Sequence, residues 1–168
     1  GPPYHPSPTK EATLAHWVHM QLAAATERLA EVVARPGPFA PRLRELLGAS
    51  ARWSERHRSY LLDYFRFRFL NIEDELGGGG GDAEGRPRDL AGLFAQLIAQ
   101  AQRDGALRDD LTSEHLASLL HHLYFGALMR WLTLPGLVLA DEFEAVVTLF
   151  VNGARAPASK ASPRRRTA

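Results

Sequence analysis

The sequence predicts an all-α protein of about six helices, and two observations support this. Apolar residues recur at three- and four-residue steps through most of the 168 residues, which is the period of a helix that buries one face. The one strand-like stretch, Phe-Arg-Phe-Arg-Phe at residues 65–69, has no second alternating run with which to pair. We therefore interpret that stretch as helix as well, and we expect no sheet.

The first two helices are separated by a clear break. The first is predicted from about residue 10 to residue 34, with Thr9 or Ser7 as its cap. The Pro-Gly-Pro sequence at residues 36–38 ends it. Pro41 can stand in the first turn of the second helix, because the missing N–H costs nothing there.

The third and fourth helices flank a glycine run. The third helix is predicted over about residues 60–76, directly before five consecutive glycines, Gly77 to Gly81. Glycine has so much backbone freedom that ordering such a stretch is costly, so we expect a flexible loop there. The fourth helix is expected from about Pro87 to Gly105, a residue type that commonly ends helices.

The last two helices are the most apolar part of the chain. The fifth begins near Thr112 and is apolar nearly all round until Pro135-Gly136, which predicts that it is covered on more than one side. Asp141, with Glu144 three residues later, predicts a capping box at the start of the sixth helix. After Gly153 the composition changes to Ala, Pro, Ser and Arg, which is typical of a disordered basic tail.

Composition argues against several classes of function. Lysine and arginine total 20 against 19 acidic residues, so no bulk charge draws the chain to nucleic acid or a membrane. The absence of cysteine excludes disulfides, thiolate zinc sites and cysteine nucleophiles, and it fits the cytoplasm. No apolar run approaches the ~20 residues of a membrane span. Because no catalytic or phosphate-binding motif is present, we expect neither an enzyme nor a cofactor.

Two stretches resemble the TetR family of bacterial transcriptional regulators. Residues 4–14 are similar to the junction between the family's helix-turn-helix and its long connecting helix, and residues 104–111 (DGALRDDL) are similar to the turn before its penultimate helix. The junction positions in register are Tyr4, Thr9, Lys10 and Glu11. The further positions that fit are Gly126, Trp131, Pro135, Phe150 and Gly153.

The resemblance implies the C-terminal, effector-binding and dimer-forming domain of such a regulator. Residues 1–9 are then a remnant of the junction, residues 10–155 the helical domain, and residues 156–168 a disordered basic tail. The helix-turn-helix is expected to be largely missing, so the chain by itself is not expected to bind DNA specifically. It is then either a fragment of a repressor or a headless form that sequesters effector or pairs with a full-length partner.

Family members enclose an apolar pocket for a small effector, which implies that this chain binds an apolar or amphipathic molecule. Aromatic residues of the middle helices can form the walls, and two histidines can supply polar contacts. The alternative for each aromatic residue is that it fills the core. The predicted ligand-binding residues are Trp17, Trp53, His57, Tyr60, Tyr64, Phe67, Phe94, His121 and Tyr124.

In the family, the last two helices pair with their copies into a four-helix bundle, which implies a homodimer. Gly126 would allow close approach of a partner backbone, and the fifth helix needs a second cover. The alternative is that this second cover is the protein's own core. The predicted interface residues are Leu119, Leu123, Gly126, Phe143, Val147 and Phe150.

Two further hypotheses remain from the residues alone. His16 and His19 lie three apart on one helix, and His121 or His122 can approach from another, but no carboxylate completes a ligand set. We therefore predict no metal site. The rival function is a helical protein-interaction module that has no small-molecule pocket and binds a partner through the fifth and sixth helices.

Overall fold

The computed structural model describes residues 9–70 and 89–158, and these residues contain six helices. They are, in order, α1 (Lys10–Ala34), α2 (Phe39–Arg56), α3 (Arg58–Leu70), α4 (Leu90–Arg103), α5 (Ser113–Thr133) and α6 (Leu139–Ala154). Over these residues no strand is formed, and one isolated antiparallel bridge joins Leu107 and Arg155. The predicted all-α class and the order of the helices are confirmed.

Several predictions fall on residues outside the described ranges. They concern residues 1–8 of the junction, the glycine run at residues 77–81, the start of the fourth helix at Pro87, and the tail from residue 159 onward. The end of the third helix beyond Leu70 belongs with them.

Side-chain caps begin three of the helices. The Thr9 hydroxyl accepts a hydrogen bond from the Ala12 N–H at 3.1 Å, which confirms Thr9 as the cap of α1. Thr112 caps α5 and Asp89 caps α4 in the same way. Each cap satisfies one of the N–H groups that a helix leaves without a partner in its first turn. Gly105, with a φ of 73°, ends α4 as predicted.

The predicted capping box at Asp141 and Glu144 is wrong. The helix α6 begins at Leu139, so its N-cap is Val138, three residues before Asp141, and Val138 makes no side-chain cap hydrogen bond. Leu139 is fully buried, and its packing fixes the first turn in place of a polar cap. Asp141 then lies within the first turn, where its negative charge interacts favourably with the helix dipole.

The core lies where α4, α5 and α6 pack side by side. The helix α2 covers α6, and α1 packs along α3 and also contacts α2 and α4. Phe94 of α4 and Leu120 of α5 are fully buried at the centre of this arrangement. Each helix therefore presents at least one apolar stripe to a neighbour, as the three- and four-residue spacing predicts.

A buried arginine holds the end of α1. The Arg42 guanidinium of α2 donates to the carbonyl oxygens of Val33 at 3.2 Å and Arg35 at 2.7 Å. It also donates to the side-chain oxygen of Gln100 in α4 at 2.8 Å. Carbonyls at a helix C-terminus carry partial negative charge, so this end of α1 can hold the cation without a carboxylate. Arg42 thereby joins three helices at one point.

Candidate ligand-binding region and pairing surface

Four of the predicted ligand-binding residues form one aromatic group between α1 and the junction of α2 and α3. The Trp17 ring lies 5.4 Å from the Tyr60 ring and 6.0 Å from the His57 ring, measured between centroids. His57 in turn stacks on Trp53, with centroids 4.3 Å apart. Because a carbonyl can only accept, His57 Nδ1 donates to the Trp53 carbonyl oxygen, at 2.7 Å.

This group extends from the core to the surface. Trp53 is buried, whereas Trp17 and Tyr60 are 40% and 46% exposed. Tyr64, one turn after Tyr60, is buried against Phe65, and Phe65 packs edge-on against Phe125 of α5 with centroids 5.2 Å apart. Aromatic contacts therefore join α1 to α3 at Trp17 and Tyr60, and α3 to α5 at Phe65 and Phe125. The side chain of Phe67 lies outside the described part.

A second aromatic group surrounds Tyr124 in the core. Its ring stacks on Phe143 of α6 at 5.0 Å and on His121 at 6.1 Å, and it meets Phe94 edge-on at 6.2 Å. The Tyr124 hydroxyl is 2.6 Å from the Ser50 hydroxyl of α2, which gives this buried polar atom a partner. Burial raises the pKa of Tyr124 above its ordinary value of 10.0, because the phenolate would lose its hydration.

The predicted ligand-binding residues thus fall into two places. Trp17, Trp53, His57 and Tyr60 lie together, and Phe94, His121 and Tyr124 lie together deeper in the fold. Ser50 lies beside Tyr124 in the second place, although its pattern in the sequence did not single it out as a ligand contact. A polar residue at a stripe position of an apolar helix was the available signal for Ser50, since such a residue needs a buried partner.

The predicted interface residues divide between the surface and the core. Leu119 and Leu123 of α5 are 47% and 41% exposed, and Gly126 on the same face is exposed. A Cβ at Gly126 would meet nothing within 4 Å, so the protomer itself does not require glycine there. The part of the chain described here therefore leaves the outer face of α5 uncovered.

The three residues of α6 predicted for the same interface are less accessible, although Phe150 lines the groove described below. Phe143, Val147 and Phe150 are buried in the protomer. Phe143 stacks on Tyr124, and Phe150 contacts Phe39 of α2 with ring centroids 6.0 Å apart. The residue that α6 exposes instead is Leu149, at 67%. Leu149 lies outside the apolar stripe that α6 buries. An apolar residue outside such a stripe is the feature of the sequence that could have identified it.

A groove runs between α5 and α6 on this outer face. Its volume is about 490 Å³, which is in the range of small-molecule sites, ~300–1,000 Å³, and also admits side chains of a second protein. Its walls are apolar apart from two side chains. The lining residues are Arg108, Leu111, Leu116, Leu119, His122, Leu123, Leu149, Phe150, Gly153 and Ala154.

Apart from Arg108 and Leu111, the groove-lining residues belong to two segments that contain no Asp, Glu, Lys or Arg. Residues 115–129 of α5 and 145–154 of α6 include no Asp, Glu, Lys or Arg. Ion pairs border the band, with Arg130 bound to Glu142 at 2.8 Å and Arg108 bound to Asp110 at 2.6 Å. We call these two segments the charge-free band. Exposed helix surfaces normally carry charged side chains, and these two segments lack Asp, Glu, Lys and Arg.

Metal binding and membrane insertion find no candidate among the described residues. Over residues 9–70 and 89–158, no three His, Cys, Asp or Glu side chains are grouped so that they could hold a metal ion. Within the same ranges, no helix has both the length and the apolar character needed to cross a membrane.

Comparison with solved structures identifies the fold. The chain is similar to FadR of Thermus thermophilus, a TetR-family transcriptional repressor whose crystal structure contains lauroyl-CoA, with a TM-score of 0.70. The two sequences are 28% identical, and the match covers 92% of this chain and 78% of FadR. The chain has a TetR-like fold.

A second solved structure has the same TetR-like fold. It is a protein of unknown function from Rhodococcus sp. RHA1, 18% identical, with a TM-score of 0.58 over 85% of this chain and 70% of that one. At this identity the likeness shows the fold alone. No protein-family model matches the sequence, and no curated protein matches it either.

Proposed function

We propose that this chain is the effector-binding and dimer-forming body of a TetR-like transcriptional regulator. The observation that carries the proposal is the similarity to the FadR repressor, at 28% identity over 92% of this chain. The aromatic region between α1, α3 and α5 supports an effector site, and the charge-free band supports a dimer. In this proposal, DNA recognition does not reside in the six helices described here.

The effector that we propose carries a long apolar chain, as the lauroyl-CoA in the FadR structure does. Rings of Trp17, Tyr60, Phe65 and Phe125 offer apolar walls from the surface inward, which suit an acyl chain. The paired hydroxyls of Tyr124 and Ser50 offer a buried polar contact deeper in the fold. Such a site would admit the chain at the exposed edges of Trp17 and Tyr60.

A ligand titration tests the effector proposal. Lauroyl-CoA is added to the purified chain, with coenzyme A and laurate as separate controls, and binding is followed by calorimetry and thermal unfolding. Ligand at 100 times its Kd stabilises a protein by about 2.7 kcal/mol, which raises the Tm of a domain of this size by about 5–10 °C. A Tyr60→Ala variant is expected to bind at least about five-fold more weakly.

The matched control is Leu134→Ala, which removes an exposed apolar side chain far along the chain from Tyr60, at the end of α5. It is expected to bind lauroyl-CoA as the unchanged chain does. No response to lauroyl-CoA, coenzyme A or laurate would contradict an acyl-chain effector, and it would favour the protein-interaction module.

We propose further that two copies pair through the groove between α5 and α6. Leu119, Leu123 and Leu149 are exposed and line one groove, in which Arg108 is the only Asp, Glu, Lys or Arg. A two-fold interface brings the same surface of each copy together, so an apolar ridge and an apolar groove on one face can complement each other. Leu149 forms part of such a ridge, and Leu116 lies in the groove beside it.

Sedimentation or size-exclusion mass measurement tests the dimer. A Leu149→Asp variant places a charge in the band and is expected to be monomeric at micromolar concentration, because an unpaired charge would have to be desolvated. Leu134→Asp makes the same change at an exposed leucine outside the band and is expected to remain dimeric. A monomeric unchanged chain at micromolar concentration would refute the dimer.

A further inference from the structure

The groove contains a histidine that no part of the proposed function uses. His122 and Arg108 have the only polar side chains among the residues that line it. His122 Nδ1 donates to the Ser118 carbonyl oxygen at 2.6 Å, since a carbonyl oxygen can only accept. In the neutral ring the second nitrogen carries no proton, and protonation there adds a full positive charge to the groove wall.

Among the residues that line the groove with His122, none is an Asp or Glu that could pair with this charge. The helices packed against α5 at this level contribute no acidic or basic side chain, as residues 145–154 of α6 and 90–102 of α4 contain none. Arg108 is itself positive, and its ion pair with Asp110 occupies that carboxylate at 2.6 Å. A protonated His122 would therefore share the groove with apolar walls and with an arginine whose carboxylate partner is already engaged.

The rest of α5 is equally free of carboxylates near His122. Between residues 115 and 129 the titratable side chains are His115, His121, His122 and Tyr124. The His121 ring lies edge-on to His122 at 6.2 Å and stacks on Tyr124. Arg58, at the start of α3, reaches α5 only at its last turn, where it donates to the Trp131 carbonyl oxygen.

We infer that His122 makes the pairing of two copies through this groove dependent on pH. The inference rests on the proposed dimer. When a second copy covers the groove, His122 loses water, and loss of water disfavours the charged ring where no carboxylate replaces it. By symmetry both copies contribute a His122, so protonation opposes the same interface twice.

The direction follows from the protonation state of histidine. Histidine side chains generally change charge between about pH 8 and about pH 5. The dimer is therefore tightest when His122 is neutral, on the alkaline side of this range, and weakens as the ring becomes charged. We expect the dimer dissociation constant to be about ten-fold larger at about pH 5.5 than at about pH 8.

The experiment is sedimentation equilibrium of the full chain at both pH values, with three proteins compared. The unchanged chain is expected to show the ten-fold weakening. His122→Gln keeps a polar, uncharged side chain at the same position and is expected to change by less than about two-fold. His115→Gln removes an exposed histidine from the first turn of α5, outside the groove lining, and is expected to retain the ten-fold weakening.

The outcomes separate the inference from the proposed function. A dimer that weakens equally in the unchanged chain and in His122→Gln overturns the role of His122 but leaves the dimer in place. A dimer with the same dissociation constant at both pH values also overturns the role of His122 and leaves the dimer in place. A chain that is monomeric at both pH values overturns the dimer and the inference together.

Discussion

The two faces of α5 are similar in composition and opposite in environment. On the inner face Leu120 and Tyr124 are buried against α4 and α6. On the outer face Leu119 and Leu123 are largely exposed, although they are the same kind of residue. The inner face also contains a buried polar atom, the Tyr124 hydroxyl, and this atom has a specific partner in the Ser50 hydroxyl.

This difference shows what hydrophobicity does and does not specify. The hydrophobic effect favours removal of apolar surface from water, but it is not directional. It therefore favours burial of both faces and does not specify which element packs against each of them. The inner face obtains its cover from helices of the same chain. The outer face has no such cover among the described residues.

The largest expected effect is on the free energy of unfolding when a leucine on each face of α5 is shortened to alanine. Leu120→Ala on the inner face should reduce the free energy of unfolding by about 2–5 kcal/mol, because it leaves a cavity in a packed core. Leu123→Ala on the outer face should change it by less than about 0.5 kcal/mol in the isolated protomer. Urea unfolding of both variants in the Leu149→Asp background, which is expected to be monomeric, measures the difference.

Equal losses for Leu120→Ala and Leu123→Ala would contradict the distinction between the faces. In the chain without Leu149→Asp, Leu123→Ala should additionally weaken pairing. The dissociation constant of the dimer is the quantity that reports this second effect.

The next effect concerns the polar pair of the inner face. Tyr124→Phe removes the hydroxyl and leaves the Ser50 hydroxyl without its partner, which should cost about 1–3 kcal/mol of unfolding free energy. Adding Ser50→Ala to Tyr124→Phe should recover part of that loss, since both polar groups are then absent. Costs that simply add in the double variant would mean that the two hydroxyls do not interact.

A smaller effect of opposite sign is expected on the outer face. Gly126→Ala should stabilise the isolated protomer by up to about 1 kcal/mol, because alanine favours the helix over glycine and the added Cβ meets nothing within 4 Å. The same change should weaken the dimer if a partner backbone approaches Gly126. Unfolding in the Leu149→Asp background and the dimer dissociation constant measure the two effects separately.

The smallest effect appears only at alkaline pH. The folded state raises the pKa of Tyr124 above the ordinary 10.0, so the stability that the neutral phenol contributes is complete below about pH 10 and is lost as the pH rises further. The unchanged chain should therefore lose more unfolding free energy than Tyr124→Phe between about pH 9 and about pH 11. Parallel losses in the two proteins would contradict the cause given for the shift.

Helix order and several helix ends could be read from the sequence because they depend on local physics. Thr9 and Gly105 act within a few residues of their own positions, through a capping hydrogen bond and a positive φ. The start of α6 could not be read in this way. Asp141 and Glu144 have the spacing of a capping box, but burial of Leu139 decides where that helix begins.

The aromatic residues illustrate the same limit for the candidate site. The sequence could indicate that Trp17, Tyr60, Phe94 and Tyr124 were large and apolar, and that some belonged to the core. It could not divide them into the group at the surface and the group around Tyr124, because that division depends on how α1, α3 and α5 cross. Ser50 and Tyr124 are 74 residues apart in the chain and meet only through packing.

By itself, the sequence determined the helical class, the order of the helices and the two-sided apolar character of α5, because periodicity and capping are properties of neighbouring residues. Only the tertiary structure decided that Phe143 and Val147 face the core while Leu149 faces the groove. A helical stripe specifies that a face will be buried. Which of several apolar residues lies inside depends on the rotation of α6 against α2 and α5, and that rotation is set by the packing of side chains from distant parts of the chain.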